Sequence, residues 1–190
     1  MFRTQNLSQN QPSGNLKKAV FLDRDGTIIR DFKGKTNSIP LADLEQFEIL
    51  DGVKEGIIKL ENAGFQLVVI TNQPDVARGG IKKNFVQAVN DKIAVELGIK
   101  HFYVCYHDND DGCNCRKPKP GLLITAANDL DLSLMESSLI GDRPTDIAAG
   151  EAVGCETYLV QNSNLRQQDA HQPVTITFQE AVSLILKERL

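Results

Sequence analysis

Short apolar runs alternate along this chain with longer segments of helical spacing. A continuous apolar run of four to six residues is typical of a strand buried on both faces, as in a parallel sheet. Apolar residues three and four positions apart, with Lys and Glu between them, indicate amphipathic helices. The runs predict strands at residues 19–22, 65–70, 101–105, 138–141 and 157–160, and the spaced segments predict helices at residues 52–63, 81–97, 121–130, 144–152 and 179–189. This alternation predicts an α/β fold with a doubly wound parallel sheet.

Three stretches lack both patterns. Residues 1–15 are rich in Gln, Asn, Ser, Pro and Gly, which predicts a disordered tail. Residues 31–40 are polar and broken by Gly and Pro, so they predict a loop, which either covers a bound substrate or only connects two elements. Residues 161–172 form a second polar connection, before the last helix. We therefore expect a tail followed by a single domain over residues 16–190.

Composition excludes several classes of protein. The chain has 190 residues, 41% of them hydrophobic, and a formal net charge of -4, which argues against non-specific binding of nucleic acid. No apolar run approaches the ~20 residues that span a bilayer. The polar N-terminus does not resemble a secretory signal, so we expect a cytoplasmic protein with no membrane partner. Under reducing conditions its four cysteines are expected to be thiols or metal ligands rather than disulfides.

Polar side chains follow the predicted strands at the points where ligands bind in open α/β sheets. Asp23 and Asp25 follow the first strand, Thr71 follows the second, and Asp142 follows the fourth. Carboxylates this close repel each other, and Mg²⁺ is a cation that such oxygens bind while places remain for substrate phosphate. The alternatives are an acidic turn at Asp23, a structural Thr, and an N-cap for Asp142 or the nearby Asp146.

A second metal site is indicated by three cysteines and a histidine within eleven residues. The set consists of Cys105, His107, Cys113 and Cys115. Three thiolates and an imidazole match a tetrahedral zinc site that is closed and therefore structural. The spacing is not that of a zinc finger, and the alternative is a group of idle cysteines near a surface histidine.

Two basic residues, Arg116 and Lys117, follow the last of these cysteines directly. A loop held by zinc would fix their directions, and both side chains suit a phosphate ligand. A solvated basic turn is the alternative.

The sequence resembles the haloacid-dehalogenase-like (HAD) phosphatases, because four motifs occur in order after predicted strands. They are Asp23-Arg-Asp-Gly-Thr, Thr71-Asn-Gln, Lys117 and Gly141-Asp142. The resemblance implies that Asp23 is the nucleophile of an aspartyl-phosphate mechanism and that Asp25 is the general acid and base. It implies that Thr71 and Lys117 hold the phosphoryl oxygens. It also implies that Mg²⁺ is held by Asp23, Asp142 and the backbone carbonyl of Asp25.

The Cys-x-His…Cys-x-Cys loop and the lack of an inserted cap resemble a narrower group, the heptose 1,7-bisphosphate and histidinol-phosphate phosphatases. Residues 47–53 and the Thr71-Asn-Gln…Ala77-Arg-Gly79 pattern are similar to the heptose enzymes, which implies a role in surface-polysaccharide precursor synthesis. The short gap between His107 and Cys113 is more similar to the histidinol-phosphate enzymes.

The resemblance to that narrower group also implies which residues contact a small phosphorylated substrate. They are expected to be Arg24, Asn72, Gln73 and Arg116. We expect a monomer that removes the C7 phosphate of a heptose bisphosphate. The alternative of another class is a non-catalytic module that presents its zinc loop to a partner.

Overall fold

The computed structural model describes residues 16–31, 44, 46–161 and 175–187. Five parallel strands form one sheet, in the spatial order β3-β2-β1-β4-β5. The strands are β1 (Ala19–Leu22), β2 (Gln66–Asn72), β3 (His101–Cys105), β4 (Ser138–Gly141) and β5 (Glu156–Leu159). The helices are α1 (Val53–Asn62), α2 (Lys83–Leu97), α3 (Gly121–Leu130), α4 (Pro144–Glu151) and α5 (Phe178–Ile185). The predicted doubly wound parallel sheet is confirmed.

The central strand β1 explains why its apolar run is continuous. Successive side chains of a strand point to opposite faces, and helices cover both faces of this sheet. Val20 and Leu22 pack into a core with α1, α2 and α5. Ala19 and Phe21 pack into a second core with α3 and α4. All four side chains are fully buried, so β1 offers polar groups only beyond its carboxyl end.

Several element boundaries differ from the predicted ones. Strand β2 runs two residues further than predicted, through Thr71 and Asn72, because both pair with β3. Helix α2 begins at Lys83, since Lys82 has an extended backbone. Helix α5 begins one residue early, where Thr177 forms a capping box with Glu180. The predicted tail, most of the two predicted polar connections and the predicted end of the last helix lie outside the described residues.

Two connections that follow strand ends are too short to hold a separate cap. They are residues 23–52, between β1 and α1, and residues 106–120, between β3 and α3. A segment below about 40 residues rarely folds as an independent unit. Among the residues that the structure describes, no helix is both long enough and apolar enough to cross a bilayer.

Candidate active site

The sheet order brings three strand ends together. Strand β1 pairs with β2 on one side and with β4 on the other. Asp23 therefore lies between Thr71 of β2 and Asp142, which follows β4, and its backbone N–H donates to Ile140 O at 2.9 Å. Asp23, Thr71 and Asp142 are all buried. The predicted convergence of polar groups from three strands is what the structure shows.

Lys117 joins this group from the loop before α3. Its Nζ lies 2.5 Å from Asp23 Oδ1 and 2.5 Å from Asp146 Oδ1, and it donates to Ile70 O at 3.1 Å. Its side chain is only 2% exposed. Burial alone would lower the pKa of Lys117, but the charges of Asp23 and Asp146 outweigh it and raise that pKa. Lys117 therefore stays a cation beside Asp23.

The carboxylates of Asp23, Asp142 and Asp146 offer ligand atoms within 4.8 Å of one another. Burial, then repulsion from Asp146 and Asp142, raises the pKa of Asp23 to about 8 although Lys117 opposes the shift. Three acids beside one lysine leave an excess of negative charge, and hard oxygen donors of this kind fit Mg²⁺. The carboxylate of Asp25 is not in this cluster, so its predicted contact with a metal would involve only its backbone carbonyl.

Asp146 is more central than the sequence indicated. Neither Asp142 nor Asp146 is the N-cap of α4, which is Arg143; Asp146 lies in the first turn, where its Oδ2 accepts from the backbone N–H of Arg143 at 3.0 Å while its Oδ1 pairs with Lys117. A side chain at Gly141 would collide with Asp146, so glycine is needed there for the close approach. One carboxylate oxygen of Asp146 thus binds the start of α4, and the other binds Lys117. The four-residue spacing between Asp142 and Asp146 was the sequence feature that could have indicated this role.

The side chain of Asp25 is held by its neighbours. Arg24 donates to Asp25 Oδ2 from Nε at 3.1 Å and from Nη2 at 2.8 Å. Gln73 Nε2 donates to the same oxygen at 2.6 Å and to Thr71 Oγ1 at 2.9 Å. Arg24 also donates to Asn90 of α2 at 3.0 Å. Arg24 and Gln73, predicted to contact substrate, line the pocket but direct these donors to Asp25.

Asn72 and Arg116, also predicted to contact substrate, hold or extend the loop that carries Lys117. The Asn72 amide donates to Lys117 O and accepts from Lys117 N, both at 3.1 Å. Arg116 donates to Asn109 Oδ1 at 2.9 Å and lines the pocket. Asn72 thus ties the end of β2 to Lys117, while Arg116 is oriented by the Cys/His loop.

The four predicted zinc ligands lie together. Cys105 Sγ is 3.3 Å from Cys115 Sγ and 3.9 Å from Cys113 Sγ, and His107 Nδ1 is 3.6 Å from Cys105 Sγ and 3.2 Å from Cys115 Sγ. Zinc bond lengths of about 2.3 Å to sulfur and about 2.0 Å to nitrogen imply tetrahedral edges of roughly 3.6–3.8 Å. All four cysteines of the chain, the three in this cluster and Cys155, are free thiols. Burial raises the pKa of Cys105 to about 12. The spacing of the donors fits a zinc ion.

A pocket of about 290 Å³ opens over Asp23, and five aspartates and five basic residues line it. Four arginines and Lys117 line it: Arg24, Arg78, Arg116 and Arg143. Sequence reasoning gave Arg78 no role of its own. It pairs with Asp108 of the Cys/His loop at 2.5 Å and with Asp75 at 3.3 Å, so it links that loop to the turn after β2. Arg24, Arg78 and Arg143 each lie near a carboxylate, whereas Arg116 donates to the neutral Asn109, so Arg116 is the arginine best placed to attract an anionic group.

Comparison with known proteins agrees with this arrangement. A family model described as HAD-hydrolase-like matches residues 114–182. A D-glycero-beta-D-manno-heptose-1,7-bisphosphate 7-phosphatase of Pasteurella multocida is 32% identical, with 89% of this chain and 95% of that protein covered. Its counterpart from Helicobacter pylori is 37% identical, with 72% and 79% covered.

Solved structures show the same likeness. The crystal structure of D,D-heptose 1,7-bisphosphate phosphatase from B. bronchiseptica, complexed with magnesium and phosphate, has a TM-score of 0.73 and 27% identity, with 90% of this chain and 98% of that chain covered. A HAD-like phosphatase structure from Mesorhizobium loti has a TM-score of 0.71 and 26% identity, with 92% and 88% covered.

Proposed function

Since the chain belongs to the HAD-like phosphatases and to the family of the heptose 1,7-bisphosphate 7-phosphatases within them, we propose that it removes the C7 phosphate of D-glycero-D-manno-heptose 1,7-bisphosphate. The observation that carries the proposal is the contact between Asp23 and Lys117 at the floor of a pocket lined by charged side chains. A carboxylate held there by a cation is placed to attack phosphorus.

Mg²⁺ fits the site, and Asp23, Asp142 and the backbone carbonyl of Asp25 would hold it. The excess of buried carboxylate charge is the reason it fits. When bound, it would offset the charge of the nucleophile and of the phosphoryl group. Lys117 would share that task, because its ammonium already lies 2.5 Å from Asp23.

The chain's own residues account for the steps of hydrolysis. Asp23 attacks phosphorus in line and forms an aspartyl-phosphate as the bond to the leaving oxygen breaks. Asp25 gives its proton to that oxygen and then takes one from the water that hydrolyses the intermediate. Thr71 and Lys117 bind the phosphoryl oxygens where negative charge collects. The Thr71 hydroxyl accepts from Gln73, which leaves its hydrogen for a phosphoryl oxygen.

Arg116 favours a bisphosphate over histidinol phosphate. Its hydrogen-bond partners are the neutral Asn109 Oδ1 and the backbone carbonyl of His107, so its charge is available to attract a second phosphate at the pocket. Histidinol phosphate carries an ammonium group, which Arg116 would repel. Two features still favour the histidinol-phosphate enzymes: the short gap between His107 and Cys113, and the Gly141-Asp-Arg-x-Thr-Asp-Ile147 pattern.

The Cys/His cluster supports a structural role for zinc. Four protein ligands leave no open coordination position, and the loop they close carries Arg116 and Lys117 directly behind Cys115. Zinc would therefore act on catalysis through the position of Lys117. We further propose a cytoplasmic monomer in which residues 16–190 form a single domain.

A kinetic comparison in the presence of Mg²⁺ tests the substrate. The two anomers of heptose 1,7-bisphosphate and histidinol phosphate would be assayed side by side for kcat/KM. We expect a preference of about a hundredfold for a heptose anomer, which is roughly 2.7 kcal/mol of transition-state discrimination. An equal preference for histidinol phosphate would overturn the substrate and keep the phosphatase. Binding of substrate without release of phosphate would favour a non-catalytic module.

A further inference from the structure

Asn90 is the polar exception on the buried face of α2. The other buried residues of this helix are Phe85, Val86, Val89, Ile93 and Leu97. Asn90 is only 2% exposed, and asparagine is a poor residue for a helix interior. An apolar side chain would pack more favourably at this position. Its amide oxygen instead accepts from Arg24 Nη1 at 3.0 Å, so the exception has a specific partner.

Arg24 connects Asn90 to Asp25 by donating to both side chains. A guanidinium with 3% of its side chain exposed needs partners for its donors, and its two partners here are Asn90 and Asp25. Because the group is planar and rigid, fixing Nη1 on Asn90 also fixes Nε and Nη2, which both donate to Asp25 Oδ2. Gln73 donates to the same oxygen from the other strand end.

Three N–H donors thus meet at one oxygen of a carboxyl group that has two. We propose that Asn90, Arg24 and Gln73 are positioning residues that occupy Asp25 Oδ2 and so reserve Oδ1 for proton transfer. A proton on Oδ2 would face three donors, whereas Oδ1 can carry it toward the pocket. This inference rests on the proposed role of Asp25 as the general acid.

The proton on Asp25 is needed at the step in which the leaving group departs. As Asp23 forms its bond to phosphorus, the bond from phosphorus to the leaving oxygen breaks and the proton on Asp25 Oδ1 passes to that oxygen. The leaving group departs as an alcohol, and Asp25 remains as a carboxylate. A misplaced Asp25 would leave the oxygen to depart as an anion, which is costly for a weakly acidic alcohol and easy for an acidic phenol.

A series of aryl phosphates therefore tests the proposal without the natural substrate. The values of kcat/KM for 4-nitrophenyl phosphate and phenyl phosphate would be measured with Mg²⁺ for Asn90→Leu, Arg24→Met and the double variant. We expect the ratio of the two values to rise by about tenfold, since general acid catalysis contributes about 10²–10⁴-fold. The double variant replaces both members of the Arg24–Asn90 hydrogen bond by apolar groups, so neither is left buried without the other, while Gln73 still donates to Asp25 Oδ2.

Asn84→Leu is the matched control, because it makes the same change at an exposed position of α2. Its ratio is expected to equal that of the wild type. The proposal is overturned if the double variant keeps the wild-type ratio, or if both substrates slow by the same factor. Turnover of neither aryl phosphate by the wild type, together with no release of phosphate from heptose 1,7-bisphosphate, would reject the proposed phosphatase function itself, and this inference with it.

Discussion

Two clusters of candidate metal ligands stand at the same edge of the sheet and differ in almost every chemical respect. The carboxylate cluster is formed by Asp23, Asp142 and Asp146, and it opens into a pocket. The thiolate cluster is formed by three cysteines and His107, whose ligand atoms lie within 4.8 Å of one another. Hard oxygens with room for substrate suit chemistry, whereas soft donors in a closed set suit a structural support.

The difference also lies in how each cluster manages its charge. The carboxylate cluster contains a buried lysine, and it still raises the pKa of Asp23 to about 8. The thiolate cluster has no such cation among its own members, and burial raises the pKa of Cys105 to about 12. Each cluster could therefore be stabilised by an ion, and in the proposed function only the ion of the carboxylate cluster would face the substrate.

Substitution of the nucleophile should produce the largest effect. Asp23→Asn keeps the shape of the side chain but removes the attacking oxygen, so we expect kcat to fall by a factor on the order of 10⁴ or more. The fold should remain, because burial already disfavours the ionised form of Asp23. Phosphate release and thermal melting would be measured together. Asp110→Asn, an exposed change in the Cys/His loop, should match the wild type, and near-native activity of Asp23→Asn would refute the covalent scheme.

Loss of a thiolate ligand should act on stability first. Cys113→Ser should lower the free energy of unfolding by about 4 kcal/mol, the range associated with loss of a metal, and should reduce zinc content measured by elemental analysis. Activity should fall as a consequence, because Lys117 follows the loop. The control Cys155→Ala removes a buried thiol outside the cluster, so this variant should keep the zinc content of the wild type. An unchanged melting curve in zinc-free Cys113→Ser would contradict the structural role.

Most members of the two clusters could be predicted from the sequence. Donors close together in the chain, such as Cys105 to Cys115, were visible as a pattern because spacing alone brings them together. Asp23, Thr71 and Asp142 could be joined because parallel strands share one carboxyl edge. The contact between Asn90 and Arg24 could not be predicted, since it depends on how α2 lies against β1. The same holds for Arg24 and Gln73, whose donors point to Asp25.

The acidity of Asp23 should make Mg²⁺ binding depend on pH. A raised pKa means that the metal-free protein holds a proton there which Mg²⁺ must displace, so affinity should rise by about tenfold per pH unit below pH 8. By the same linkage, Asp23 should cost the metal-free protein stability as the pH rises from its ordinary pKa of 3.8 toward 8. Calorimetric titration at two pH values below 8 would measure the slope. Asp23→Asn should abolish the slope, and a flat wild-type profile would argue against proton displacement.

The smallest effect should come from substitution of Asn72, which ties the end of β2 to the backbone of Lys117. Asn72→Ala removes two hydrogen bonds to the Lys117 backbone, each worth about 0.5 kcal/mol or more, so we expect a loss of about fivefold in activity. If Asn72 positions Lys117, kcat should fall while KM and zinc content stay constant, since the donor to the phosphoryl group is misplaced rather than removed. If Asn72 binds substrate, as the sequence alone suggested, KM should rise at constant kcat. Whether kcat or KM changes thus decides whether Asn72, at the end of β2, contacts the substrate directly or positions the loop that carries Lys117.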